Sequence, residues 1–110
     1  MREEVHEYLG HILDAIAGIE IHIGEQPSYQ QYLASPTMRR AVERELEIIG
    51  EAMNRVKKLE PTISISNASH IVYTRNRIIH GYDCIDDTII WRIVIKDIPV
   101  LKEEIKNLLE

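Results

Sequence analysis

Apolar residues recur at helical spacing along nearly the whole chain. Val5, Leu9, Ile12, Ile16, Ile19 and Ile23 form one stripe, closed by Gly24 and a Gln-Pro-Ser turn. Ser35-Pro36 reads as an N-cap followed by proline in the first helical position. From there Met38, Ala41, Val42, Leu46, Ile49, Ala52, Met53, Val56 and Leu59 line a second long helix, which Pro61 stops. Residues 62–66 alternate like a short strand. With no partner strand elsewhere, they read as a loop leading to an N-cap at Ser66 or Asn67. A third helix carries Ala68, Ile71, Val72, Ile78 and Ile79 and meets Gly81. Asp86 or Asp87 caps a fourth with Ile89, Ile90, Ile93 and Val94. Asp97 with Pro99 restarts a fifth, striped by Leu101, Ile105, Leu108 and Leu109. The pattern predicts an all-α fold, an antiparallel bundle of four to five helices.

The chain has 110 residues, enough for one hydrophobic core and a single domain over 1–110. Even counting glycine, no apolar run exceeds the five residues 15–19, so neither a membrane span nor a signal peptide is expected. The cytoplasm is the expected compartment. One cysteine, Cys84, makes neither an internal disulfide nor a zinc site of several thiolates. The net charge of −5 speaks against a polyanionic partner until its distribution is considered. Residues 1–35 carry one base, Arg2, against six acids, whereas residues 36–82 carry eight bases against five acids. Phosphate binding follows local potential, so RNA is permitted.

Two charged residues fall inside apolar stripes. At about 100° per residue, Arg75 sits in the middle of the arc of Ile71, Val72, Ile78 and Ile79, and Glu45 sits within the stripe of the second helix. A guanidinium and a carboxylate on core-facing positions are costly unless paired or placed at an interface. They either form an Arg75–Glu45 ion pair inside the bundle, or Arg75 faces a cleft or subunit interface and meets an anion there.

Five histidines invite a metal search, which finds none. His6 and His11 diverge on a helix, and Glu3-x-x-His6 has no second copy to complete a di-iron pair. No phosphate loop, nucleophile elbow or dinucleotide fingerprint is present. No cofactor is expected. The chemically dense stretch is Arg75-Asn76-Arg77-Ile78-Ile79-His80-Gly81-Tyr82-Asp83. On a regular helix His80 diverges from Arg75. A left-handed cap at Gly81 would swing Tyr82 back, and a two-fold axis would bring one chain's motif to the other's. Arginine then stabilises a charged phosphorane, histidine moves a proton near neutral pH, and tyrosine donates a hydrogen bond or stacks on a base.

Arg75, four residues, His80, one residue, Tyr82 resembles the Arg-x4–6-His-x-Tyr signature of HEPN-superfamily ribonucleases. Residues 41–52, ending Ile49-Gly50-Glu51-Ala52, are similar to a helix of the HepT-like branch. Arg75-Asn76-Arg77-Ile78-Ile79-His80 follows that branch's Arg-Asn-x-x-x-His run, and Trp91 with Asp97-Ile98-Pro99 and Leu101 looks like its C-terminal pattern. Position 45 holds Glu where the family pattern expects an uncharged polar residue, commonly Asn. The resemblance implies a homodimeric helical bundle with a metal-independent ribonuclease site at the dimer cleft. Arg75, His80 and Tyr82 would carry the chemistry, with Asn76, Arg77, Asp83, Glu45 and Glu51 around them. It further implies a toxin paired with an MntA-like nucleotidyltransferase antitoxin that transfers AMP to Tyr82, whose added charge and bulk would block access to Arg75 and His80. Two other readings stand beside the RNA endonuclease: a non-catalytic HEPN module binding a nucleotide or protein, and a purely structural dimerisation domain.

Overall fold

Helix α1 spans Glu3–Ile23 and buries Val5, Leu9, Ile12, Ala15, Ile16 and Ile19, one continuous face. Gly24 ends it at φ 77°, a left-handed position that glycine takes without strain. The computed structural model describes residues 2–66, 68–80 and 86–110, and among these there is no strand. A short helix α2, Tyr29–Ala34, follows, capped by the Ser28 hydroxyl. The sequence pattern shows only a turn here, because six residues are too few to display a periodicity and Tyr32 is the one side chain it buries.

Ser35 accepts a hydrogen bond from the Met38 N–H at 3.1 Å, and Pro36 opens α3, Pro36–Leu59, as its spacing predicts. Lys57 closes that helix by donating to the carbonyls of Pro61 and Ile63. The alternating loop that follows buries Ile63 and Ile65 without pairing as a strand. Helix α4, Ala68–His80, buries Ile71, Thr74 and Ile78. Its expected cap Asn67 and the expected left-handed Gly81 lie outside the described residues.

The fourth and fifth helices of the sequence pattern are one rod. Asp86 caps α5, Asp87–Arg92, through the Thr88 N–H at 2.9 Å. The backbone then continues through a π-helical turn, Ile93–Asp97, into α6, Ile98–Leu109. Asp97 makes no cap and stays helical, so the expected restart does not occur. Pro99 explains the turn. It has no N–H for the Ile95 carbonyl, and its ring would crowd that group in a regular helix. Widening by one residue, with the Ile98 N–H bonded to the Ile93 carbonyl, accommodates the ring without breaking the rod.

Helices α1 and α3 are antiparallel: the Arg2 N–H meets Glu60 at one end, and His22 meets Glu45 further along. Helix α4 and the rod are antiparallel too, since Ser66 bonds to Glu104 while His70 lies 3.6 Å from Asp97. Lys102 ties α6 to Glu20 of α1 at 2.8 Å. One core joins Leu9, Ile12 and Ile16 with Leu46, Ile49, Met53, Ile71, Ile93, Leu101 and Ile105. The net-acidic first helix is distant in sequence from the net-basic stretch but lies directly against α3, so the two share a surface.

Candidate functional site

The buried pair Ile71 and Ile78 anchors α4 to the core, and the Thr74 hydroxyl donates to the His70 carbonyl at 2.9 Å, which keeps a buried polar group satisfied. The helix so fixed carries Arg75, Asn76, Arg77 and His80 in its last two turns, with Asn76 on the exposed side. Tyr73, which sequence reasoning passed over, is 59% exposed on the same helix two residues before Arg75. The side chains of Arg75, Arg77 and His80 lie outside the described set, as do Gly81, Tyr82, Asp83 and Cys84 entirely. The expected convergence of Arg75, His80 and Tyr82 therefore lies outside the described residues.

Glu45 and Glu51, the two carboxylates expected at the cleft, both open into the groove between α1 and α3. Glu45 is only 19% exposed and turns towards α1, with Oε2 3.4 Å from His22 Nε2. The carboxylate lies over Gly18, where a Cβ would overlap Oε2. That glycine was the available signal. A glycine in a helix interior costs about 1 kcal/mol relative to alanine and so marks a close approach, yet the apolar pattern absorbs it as one more member of a hydrophobic run. Arg55 Nε donates to Glu51 at 3.3 Å, one turn further along α3, and Arg44 donates to Glu47 at 3.1 Å. Tyr8 and His11 form the α1 wall, their rings edge to face with centroids 5.9 Å apart.

A second polar cluster, unforeseen from the sequence, lies where α2, α3 and α5 meet. Trp91 packs its ring against Tyr32 and Tyr29 at 5.1 and 5.9 Å, and the Tyr29 hydroxyl lies 2.9 Å from that of Thr88. The Tyr32 hydroxyl is enclosed with no hydrogen-bond partner among the described residues. Burial, then the carboxylates of Asp87 and Glu43, push its ionisation above the ordinary tyrosine value. Glu43 is raised from its ordinary 4.5, by burial first and by Asp87 second, with Arg39 opposing. Arg39 itself spans the junction, donating to the Leu33 carbonyl and lying 3.9 Å from Asp87. The resemblance to a family C-terminal pattern rested partly on Trp91 and Asp97, and both have structural work here: one closes this cluster, the other meets His70 of α4.

Among the described residues no three His, Cys, Asp or Glu side chains gather as metal ligands, and no helix is long and apolar enough to cross a membrane.

A family model described as Ribonuclease HepT-like matches residues 5–108, nearly the whole chain. A protein of Methanocaldococcus jannaschii named "Gamma-glutamylcyclotransferase and putative RNase" is 35% identical over all of this chain, which spans half of that protein's length. A "Putative RNase" of Caldanaerobacter subterraneus subsp. tengcongensis is 34% identical over 94% of this chain and 92% of its own. A "Probable ribonuclease HepT" of Thermococcus cleftensis is 32% identical over 98% of both chains. No solved structure matches the chain.

Proposed function

Since the chain belongs to the HepT-like ribonuclease family, we propose that it is an RNA endonuclease acting as the toxin of a toxin–antitoxin pair. The observation that carries this reading is the family match over residues 5–108 together with an intact Arg75-x4-His80-x-Tyr82 sequence motif, of which Arg75 and His80 belong to α4. The chemistry follows from the residue types. His80 takes the proton from a ribose 2′-hydroxyl, whose oxygen attacks the adjacent phosphorus. Arg75 stabilises the doubly charged phosphorane through two parallel hydrogen bonds. The 5′-oxygen leaves with a proton returned from an acid at the site, giving a 2′,3′-cyclic phosphate and a free 5′-hydroxyl. The nucleophile belongs to the substrate, so the step needs no metal-bound water. Two chains related by a two-fold axis would set two motifs across one cleft.

Regulation completes the reading. An adjacent-gene nucleotidyltransferase would move AMP from ATP to the Tyr82 hydroxyl with release of pyrophosphate, placing a phosphodiester where the substrate phosphate must sit. The deciding experiment is cleavage of a defined RNA in chelator by the wild type and by His80→Ala. The wild type should yield cyclic-phosphate ends, and the variant should lose cleavage by a factor of about a hundred or more while keeping its helical spectrum. Cleavage undiminished in the variant would overturn the assignment.

A further inference from the structure

The α1–α3 groove holds a cavity of about 340 Å³ that the proposed bond cleavage does not use. It is at the small end of ligand pockets, the scale of one nucleobase rather than a nucleotide chain. Its make-up is specific. Tyr8 and His11 supply an aromatic wall, Ile48 an apolar floor, and Arg44, Glu47 and Glu51 a charged rim. The Glu47 side chain is 24% exposed, held back in the groove, whereas its partner Arg44 is 70% exposed. An i, i+3 surface pair of this kind is worth little, so Arg44 can swing away at small cost.

Two oxygens of one carboxylate match two parallel donors. Among the four RNA bases only guanine presents that pair on its Watson–Crick edge, N1–H beside the N2 amino group. Adenine and cytosine set a single amino donor next to a ring acceptor, which a carboxylate repels. Uracil has one N–H between two carbonyls. The aromatic wall and apolar floor suit a stacked ring of any base, so stacking supplies affinity and the carboxylate supplies choice. A displaced Arg44 would lie over the base or meet its phosphate.

We propose that this cavity is a guanine subsite, with Glu47 reading the Watson–Crick edge and Tyr8 stacking on the ring. As part of an RNA-cutting site the inference rests on the ribonuclease reading, but binding of the base can be measured apart from cleavage. Calorimetric titration of the full chain with 5′-GMP, 5′-AMP and inosine 5′-monophosphate tests it without any substitution. GMP should bind about ten-fold or more tightly over AMP, and inosine monophosphate, which lacks the N2 amino donor, should fall between them. Glu47→Gln should bring GMP and AMP within about two-fold of each other while the thermal midpoint stays in place. Equal binding of the three nucleotides by the wild type, or a GMP preference that survives Glu47→Gln, would overturn the subsite. RNA cleavage with no GMP preference removes the subsite and leaves the ribonuclease standing. GMP preference without RNA cleavage does the reverse.

Discussion

The Tyr32 hydroxyl is enclosed with no partner among the described residues, and a buried polar group in that position costs about 1–3 kcal/mol in typical cases. What offsets it is the ring, fully enclosed and packed on Trp91. Glu43, beside it, has a titration consequence. Its carboxyl binds a proton more tightly in the fold than in the unfolded chain, chiefly because burial disfavours the charge. The stabilisation this gives is complete below the unfolded value and is lost as pH rises through the folded one. Glu43→Gln should therefore unfold at higher urea than the wild type at pH 7, with the difference vanishing near pH 4. Urea midpoints at the two pH values check this; a variant less stable at pH 7 would show that the attraction of the Arg39 charge outweighs burial. None of this cluster was legible beforehand, because Tyr29, Tyr32, Glu43, Asp87 and Trp91 come from three separated segments and share no spacing.

Helix boundaries were the most legible feature, wherever a single residue has one physical use. Ser35 with Pro36, Gly24 and Asp86 each end or begin a helix where their backbone chemistry places them. Ser35→Ala removes the acceptor of the Met38 N–H and should cost about 1 kcal/mol, seen as a lowered thermal midpoint with an unchanged helical spectrum at low temperature. Pro99 was misleading for an equally definite reason. A proline and a preceding Asp make a good helix start, but the same residues fit a π turn within a continuous helix, and only tertiary packing chooses between them. The motif helix was legible in its extent, while its key side chains stand on spacing alone, since Gly81, Tyr82 and Asp83 lie outside the described residues.

Across the whole molecule, α1 is the element against which both α3 and α6 are laid, through the shared core and the Glu20–Lys102 pair. Ile105 of α6 is fully buried in the shared core. Ile105→Ala should cost about 2–5 kcal/mol, measured by urea unfolding. The partition of charge by sequence, acidic first and basic later, does not survive folding as a partition in space, because α1 and α3 share one groove. Gly18 and Glu45 then couple two positions distant in sequence. A methyl group on Gly18 meets the far end of the flexible Glu45 side chain, so helix propensity is gained there either by turning that carboxylate aside or by shortening position 45, as Asn would do. A chain that carries Gly18→Ala beside an unchanged Glu45 should show its acid turned out of the groove and its contact with His22 lost.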